Sequence, residues 1–384
     1  MNIAVTPTVA GPERVLAVAF ELGASQWKMA FSTALGQRPR LRTIPARDLA
    51  RVEKEIEGAK AHFGVPAAAR VVSCYEAGRD GFWLHRALLA KGIENHVVDS
   101  ASIEVNRRAR RAKTDRLDAG KLLDLLWRWR LGEKKCWSVV RVPSSEEEDR
   151  RQLHRELMTT RRDRTRLTNR IKGLLFAQGI HLKDLWELPA RLGQMKLWDG
   201  SPLPQRLRER VEREWQKVEM LSAQIQQLKK QRRALLREAT DEGTECARKL
   251  LRLGGIGANA SWLFALEFFS WRDFQNGKQI GALSGLAPTP HQSGDLHREQ
   301  GITKAGNRWV RALAIEIAWA WLRYQPQSEL SQWYERKFGH GSARVRKIGI
   351  VALARKLLIE LWKYLQTGTP PAGARLKEGT LLKV

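Results

Sequence analysis

The 384-residue chain carries 68 Lys and Arg against 41 Asp and Glu, a formal charge of +27, and 43% of it is hydrophobic. That hydrophobic share is enough for two or three cores, so the charge does not mean disorder, and a basic field spread along most of the chain seeks a polyanion, with nucleic acid the default partner. No signal peptide, long uncharged apolar run or lipidation motif argues for a membrane, and three distant cysteines, Cys74, Cys136 and Cys246, suggest a reducing compartment and exclude a disulfide framework or zinc cluster.

Residues 1–13 are turn formers without periodicity and read as a loose arm. Residues 15–22 form an apolar run interrupted by Glu21, the pattern of a buried strand ending in an acid. Residues 23–26 turn, residues 27–31 alternate as the returning strand of a hairpin, and residues 40–44 supply a third strand before a helix over 46–62. Residues 70–76 repeat the first design: a β-branched run ends in Glu76, and Ala77-Gly78 follows. A helix over 81–91 and a strand over 96–98 complete a βαβ unit, whose parallel strands direct their carboxyl ends to a ligand crevice.

Residues 107–119 place Asp115 and Asp118 inside a strongly basic segment containing Arg107, Arg108, Arg110, Arg111 and Lys113. Leu117, Leu122, Leu123, Leu125 and Leu126 outline an apolar helix face, so the two acids lie three apart at a helix start and share one side of it. Capping by Thr114 or Asp115 plus a solvated face accounts for them equally well. Asp99 also follows a strand, where it can cap the next segment through Ser100. Taken jointly, Glu21, Glu76, Asp115 and Asp118 can meet at one place. Four oxygen donors in so basic a chain suit a divalent-metal phosphoryl-transfer site better than a salt-bridge net, with the neighbouring Arg and Lys holding phosphates.

After a turn at residues 143–145 and an acidic cap over 146–149, the chain becomes helical. Leu153, Leu157, Leu167, Ile171 and Leu174 keep a heptad-like seam, continued after a Gly- and Pro-containing break over 179–204 by Leu207, Val211, Val218, Leu221, Ile225, Leu228 and Leu235. This predicts an antiparallel coiled-coil arm or dimerisation element. Arg155, Arg161, Arg162, Arg166 and Arg170 crowd the remaining face and read as phosphate contacts, against the alternative of a solvated surface. Residues 253–260 form a Gly-x-Gly turn of helix-hairpin-helix type, a weak signal that a packed turn also explains. A polar segment over 285–307 reads as a loop holding Ser293 before Gly294, which is ordinarily only a turn residue. Two apolar helices over 309–324 and 344–365 follow, Trp319, Trp321 and Trp362 reading as core, and residues 368–384 as a disordered tail.

Glu21, the string Cys74-Tyr75-Glu76-Ala77-Gly78 and the string Lys113-Thr114-Asp115-Arg116-Leu117-Asp118-Ala119 resemble the acidic motifs of transposases with an RuvC-like, RNase H-fold DEDD domain, the insertion-sequence recombinases related to the Piv and MooV invertases. The third string is the specific one. Glu21 departs from the Asp usual at the first position by one methylene. The order Gly285-Leu286-Ala287-Pro288, Ser293-Gly294, Gly301 to Asn307 including Lys304, then Arg311 is similar to the C-terminal domain of the same family, and places its nucleophilic serine on Ser293. His291 and His297 are candidates to orient or deprotonate it, or to touch DNA.

The resemblance implies an α/β plus α chain: a RuvC-like DEDD domain over 1–142, a helical arm over 143–246 and a mainly α serine-containing domain over 247–367. It implies DNA strand cleavage and rejoining through a serine–DNA intermediate, with Mg2+ or Mn2+ on Glu21, Glu76, Asp115 and Asp118. Lys304, Asn307 and Arg311 join the arm arginines as nucleic-acid contacts. Donor and target DNA, a structured bridge RNA and further copies of the chain, as a dimer or tetramer, are the implied partners, in a prokaryotic, nucleoid-associated cytoplasmic setting. The competing readings are a metal-dependent nuclease or junction resolvase using only the acidic tetrad, and a non-catalytic RNA-binding scaffold.

Overall fold

The computed structural model describes residues 14–103, 115–293 and 296–377, and of residues 101, 115–118, 290–293 and 296–300 it describes the backbone alone. The chain divides into two compact units, residues 1–143 and 144–384.

The first unit is built on five strands: β1 (Leu16–Leu22), β2 (Gln26–Ser32), β3 (Arg40–Pro45), β4 (Val71–Glu76) and β5 (Glu94–Val98), in the order β3-β2-β1-β4-β5. β1, β2 and β3 pair antiparallel, whereas β1, β4 and β5 pair parallel. Period-two alternation sorts the side chains by size. Leu16, Val18, Phe20, Trp27, Met29, Phe31 and Tyr75 fill one face, covered by α1 (Leu49–Phe63) and α2 (Trp83–Ala90) through Val52, Ile56, Leu84 and Leu88. The opposite face carries Ala17, Ala19, Ala30, Val72 and Cys74, and here α3 (Asp115–Arg130) lies down through Leu122, Leu123 and Leu126. Such small side chains let the helix backbone come close. The Cys74 thiol lies 3.7 Å from the Leu122 carbonyl oxygen, to which it donates.

The second unit begins with α4 (Ser145–Phe176), where Ser144 and Glu147 form a reciprocal capping box. A break holding the short α5 (Leu188–Leu192) leads into α6 (Gln205–Glu238). α4 and α6 run antiparallel, since Glu156 accepts from Gln224 and Glu214 accepts from Arg170. Leu157, Ile171, Val211, Val218, Ile225 and Leu228 form their buried seam. At its end the seam passes to Leu236, because Leu235 is 42% exposed.

α7 (Glu242–Leu251), α8 (Ala258–Phe264) with a wider π-type turn over 265–269, α9 (Gly277–Leu283), α10 (Arg308–Tyr324), α11 (Glu329–Tyr334) and α12 (Ala343–Thr367) enclose the largest core, centred on Phe264, Phe268, Trp321 and Leu357. Trp321 is fully buried as expected, but Trp319 is 48% exposed. Residues 285–307, expected as a loop, instead contain a hairpin, β6 (Pro288–Ser293) and β7 (Leu296–Ile302), with a register irregularity between Pro288 and Pro290. Two prolines and a polar composition hide the strand; proline is tolerated at an irregularity because it has no ladder N–H to place.

The expected disordered tail also needs correction for residues 368–377. Leu376 pairs with Leu253, Arg375 exchanges hydrogen bonds of 2.8 Å with Gln325, and the Lys377 ammonium donates to the Leu251 and Ile256 carbonyls. Residues 378–384 lie outside the described residues. Each such bond nets about 1 kcal/mol, so deleting residues 369–384, which removes the two bonds with Gln325 and the two from the Lys377 ammonium, is expected to lower the stability of the second unit by about 4 kcal/mol, read as a shift in its urea midpoint. An unchanged midpoint would return the segment to a loose tail.

Candidate active site

Parallel pairing brings two of the four predicted acids together. Phe20 is in register with Tyr75, so the next residues, Glu21 and Glu76, stand side by side at the carboxyl ends of β1 and β4, strands about 4.8 Å apart. Alternation assigns both to the face that carries Ala19 and Cys74, the face that α3 covers. Lys28 of β2 lies opposite Glu21 in register.

The direction of α3 locates the other two positions. Ser32, opposite Ala17, accepts a hydrogen bond of 2.8 Å from the Trp127 indole, and Cys74, opposite Ala19, touches Leu122. Two residues forward along β1 therefore correspond to five residues backward along α3. A further two residues along the strand, about 6.6 Å, reach Glu21, and about four residues backward at 1.5 Å each reach position 118. Positions 115 and 118 precede Ala119 and Leu122 by four residues on the stripe that faces the sheet. The first turn of α3 thus overhangs the ends of β1 and β4. Among the described residues no three of His, Cys, Asp and Glu gather into a group able to hold a metal ion, and the side chains of Asp115 and Asp118 are outside that description. Asp99 follows β5 and precedes the turn Ser100–Ser102, where the Ser102 hydroxyl donates to the Asp99 carbonyl.

Arg107, Arg108, Arg110, Arg111 and Lys113 lie outside the described residues. On α4, the Arg155 guanidinium makes a bidentate pair of 2.7 and 2.9 Å with the buried Glu267, which holds its pKa above the usual value. Arg170 pairs with Glu214 at 3.1 Å, and Arg166 with the exposed Asp163 three residues earlier. Arg162 is exposed, whereas Arg161 is half-buried and its pKa is lowered by desolvation and by Arg164.

In the second unit Ser293 closes β6, in register with Leu296 across the hairpin tip. His297 pairs in register with Gln292, and His291 with Arg298. A backbone clasp holds the base of this hairpin. Lys304 N–H donates to Gly285, Thr303 to Ala287 and Asn307 to Leu283, at 2.9 to 3.1 Å. Gly285 and Gly306 have φ of 70° and 84°, and a Cβ on Gly306 would sit 2.1 Å from the Leu283 oxygen. Glycine is required here by both backbone conformation and close approach. Asn307 caps α10 by accepting from Trp309 and Val310, and the Arg311 guanidinium donates to the Lys304 carbonyl at 2.9 Å. Lys304 itself has a left-handed φ of 56°. Sequence reasoning placed these three at a nucleic acid; the structure gives Asn307 and Arg311 these contacts within the clasp.

A model of the family described as transposase, IS116/IS110/IS902 family, matches residues 247–332, a span that takes in the clasp and Ser293. A putative transposase from Sinorhizobium fredii is 40% identical over 375 residues, 94% of each chain. The chain belongs to the IS116/IS110/IS902 transposase family. A probable family 20 transposase of Pseudomonas aeruginosa is 29% identical over 60% of this chain and 67% of its own. The transposase for insertion sequence element IS1328 of Yersinia enterocolitica is 27% identical over 56% of this chain and 63% of its own. Among the described residues of this transposase-family chain, no helix is long and apolar enough to cross a membrane.

The sequence reading missed the buried His154 of α4 and Arg232 of α6, because polar residues inside a basic amphipathic helix look like solvated ones, and it missed Asn259 at the start of the apolar α8, which accepts from Arg232. The Arg155 pair separates stability from nucleic-acid contact. Replacing Arg155 with Gln leaves Glu267 buried without its cation and is expected to cost about 3 kcal/mol of unfolding free energy, measured by urea denaturation. Wild-type stability in that variant would show that the pair contributes nothing.

Proposed function

We propose that this chain is a DNA transposase of an insertion sequence that cuts and rejoins strands through a serine–DNA intermediate. The observation that carries the reading is the convergence of three chain segments, the ends of β1 and β4 and the first turn of α3, at the positions of Glu21, Glu76, Asp115 and Asp118. Three antiparallel strands extended by two parallel ones support an RNase H/RuvC-like first domain, and the antiparallel α4–α6 pair supports a coiled-coil arm. We take the functional division as residues 1–142, 143–246 and 247–367.

The donor set fits a hard divalent cation, since all four side chains offer carboxylate oxygens. Glu21, Glu76, Asp115 and Asp118 would hold Mg2+ or Mn2+, which when bound neutralises charge on a scissile phosphate. Ser293 Oγ attacks phosphorus, forming a phosphoserine ester as the bond to the leaving strand oxygen breaks. The hydroxyl proton passes to a neighbouring base, for which His291 and His297 are candidates, and the departing oxygen takes up a proton. The hairpin holds Ser293 by the pairing of β6 with β7, and the glycine clasp fixes its base. A structured bridge RNA pairing with donor and target DNA would leave the protein to read backbone and shape, which suits a basic chain. The reading includes a homo-oligomer, dimer or tetramer, and a prokaryotic cytoplasmic, nucleoid-associated location.

Trapping under denaturing conditions tests this. Wild-type protein with Mg2+, RNA and donor DNA is expected to give a covalent protein–DNA adduct; Ser293→Ala gives none, and Asp115→Asn or Asp118→Asn reduces cleavage about a hundred-fold or more. Adduct from Ser293→Ala would remove the serine, full activity in both Asn variants would remove the carboxylates, and cleavage without adduct in the wild type would favour a resolvase using only the tetrad.

The exposed arm cations give a separate test. Arg162→Gln and Arg166→Gln are each expected to lower the salt-dependence slope of nucleic-acid binding by about one, across all sequences. Titration of affinity against NaCl reads this, and an unchanged slope makes the face merely solvated.

A further inference from the structure

Within the second unit, α4, α6, the turn before α8, α8 and α10 line a half-open cavity of about 590 Å³. Its polar part comes from three elements. Arg232 of α6 is 6% exposed, donates 2.6 Å to the Asn259 side-chain oxygen, and leaves its Nε without a hydrogen-bond partner. His154 of α4 is 1% exposed and neither ring nitrogen has a partner. Arg161 lines the same cavity. Among the described residues neither Arg232 nor Arg161 is paired with a carboxylate. The buried acid nearby, Glu267, is taken by Arg155 through both oxygens.

A buried guanidinium without a counter-charge is costly, and close cations increase the cost. Burial and the adjacent Arg161 and Arg233 push the Arg232 pKa down to about 10. Burial, then Arg232, push His154 down to about 4, against the opposing pull of Glu267, so its ring is neutral at pH 7 and has one N–H to donate. An anion entering the cavity would relieve both groups. The other walls are too apolar for an inorganic anion alone: Trp309, Leu313, Leu263 and Met158 face the space, with the exposed Glu316 also lining it. An aromatic ring next to cations is the surface on which nucleic-acid bases stack beside their phosphates.

We propose that this cavity takes one unstacked nucleotide of a bound single strand, with its phosphate on Arg232 and Arg161 and its base against Trp309 and Leu313. The volume lies in the range of about 300–1,000 Å³ usual for small-ligand pockets. His154 donates to the phosphate, while the Asn259 amide and Glu316 are available to the base edge, which gives the subsite a means of preferring one base. The proposal rests on the nucleic-acid reading of the preceding section and assigns it a specific place, built from residues other than the four carboxylates and Ser293.

The test uses the full chain and a single-stranded DNA dodecamer with one internal 2-aminopurine, whose fluorescence reports unstacking, while anisotropy reports affinity. Wild-type protein is expected to bind with a change in 2-aminopurine emission. Arg232→Gln removes the buried cation, and Leu313→Trp fills the cavity without altering charge. Both are expected to abolish the emission change and weaken binding about ten-fold or more, with circular dichroism confirming the fold. Leu313→Trp keeps the question answerable should Arg232→Gln fail to fold. Wild-type affinity and emission in folded Leu313→Trp would overturn the subsite and leave the nucleic-acid reading intact. No binding by the wild type would overturn both. Competition by inorganic phosphate as effective as by a nucleoside monophosphate would also overturn the claim, since the site would then hold a simple anion.

Discussion

The first unit depends on the parallel register of β1 with β4. Because Phe20 meets Tyr75, Glu21 and Glu76 end neighbouring strands at the same height. A slip of one residue would leave the acids staggered and turn the large side chains of one strand to the α3 side. The size difference between the two faces prevents that slip. Trp27, Phe20 and Tyr75 fit under α1 and α2, whereas the alanine face receives α3 at short range. Core packing and placement of the acids are therefore one constraint. Any change that lifts α3, such as a larger residue at Ala19, would also move positions 115 and 118 away from the strand ends.

This unit was legible in the sequence because its signals are local. Apolar runs ending in Glu21 and Glu76 gave strands within a residue or two of β1 and β4, and the helix start at Asp115 was read from the leucines that follow. The second unit was legible only in its helices. The hairpin bearing Ser293 was missed because its backbone is stabilised from outside, by bonds from residues 303–307 to residues 283–287. No window of 290–300 contains that information. Similarly, the tail looks disordered by composition, yet Gln325 holds it across 50 residues of sequence and the carbonyls of Leu251 and Ile256 across 126 and 121.

Charge was the least legible property. A count of +27 treats each cation alike, but the arm arginines divide by environment. Arg155 and Arg170 pair with the buried Glu267 and Glu214. Arg162 and Arg166 project from the surface, where phosphate contact is electrostatic and screened. Arg232 belongs to a third class, desolvated and, among the described residues, without a carboxylate partner. The heptad pattern cannot separate these classes, because it records which residues are apolar and says nothing of which polar residues a second helix covers.

The glycines of the C-terminal motif follow the same logic. A string such as Gly285-Leu286-Ala287-Pro288 with Gly301 to Asn307 invites a reading in which conspicuous polar residues touch the ligand. The structure assigns much of it to construction: Gly306 admits the Leu283 carbonyl, Asn307 caps α10, and Arg311 gathers the Lys304 and Ala305 carbonyls. A two-stranded hairpin needs such a base, because an isolated two-stranded ribbon is only marginally stable. Ser293 lies five residues beyond Pro288, so an opening at the clasp would be passed along both strands to the tip. Residues at the base can thereby decide where the backbone of Ser293 stands, and this explains how glycines and caps can shape a hairpin tip that they do not reach.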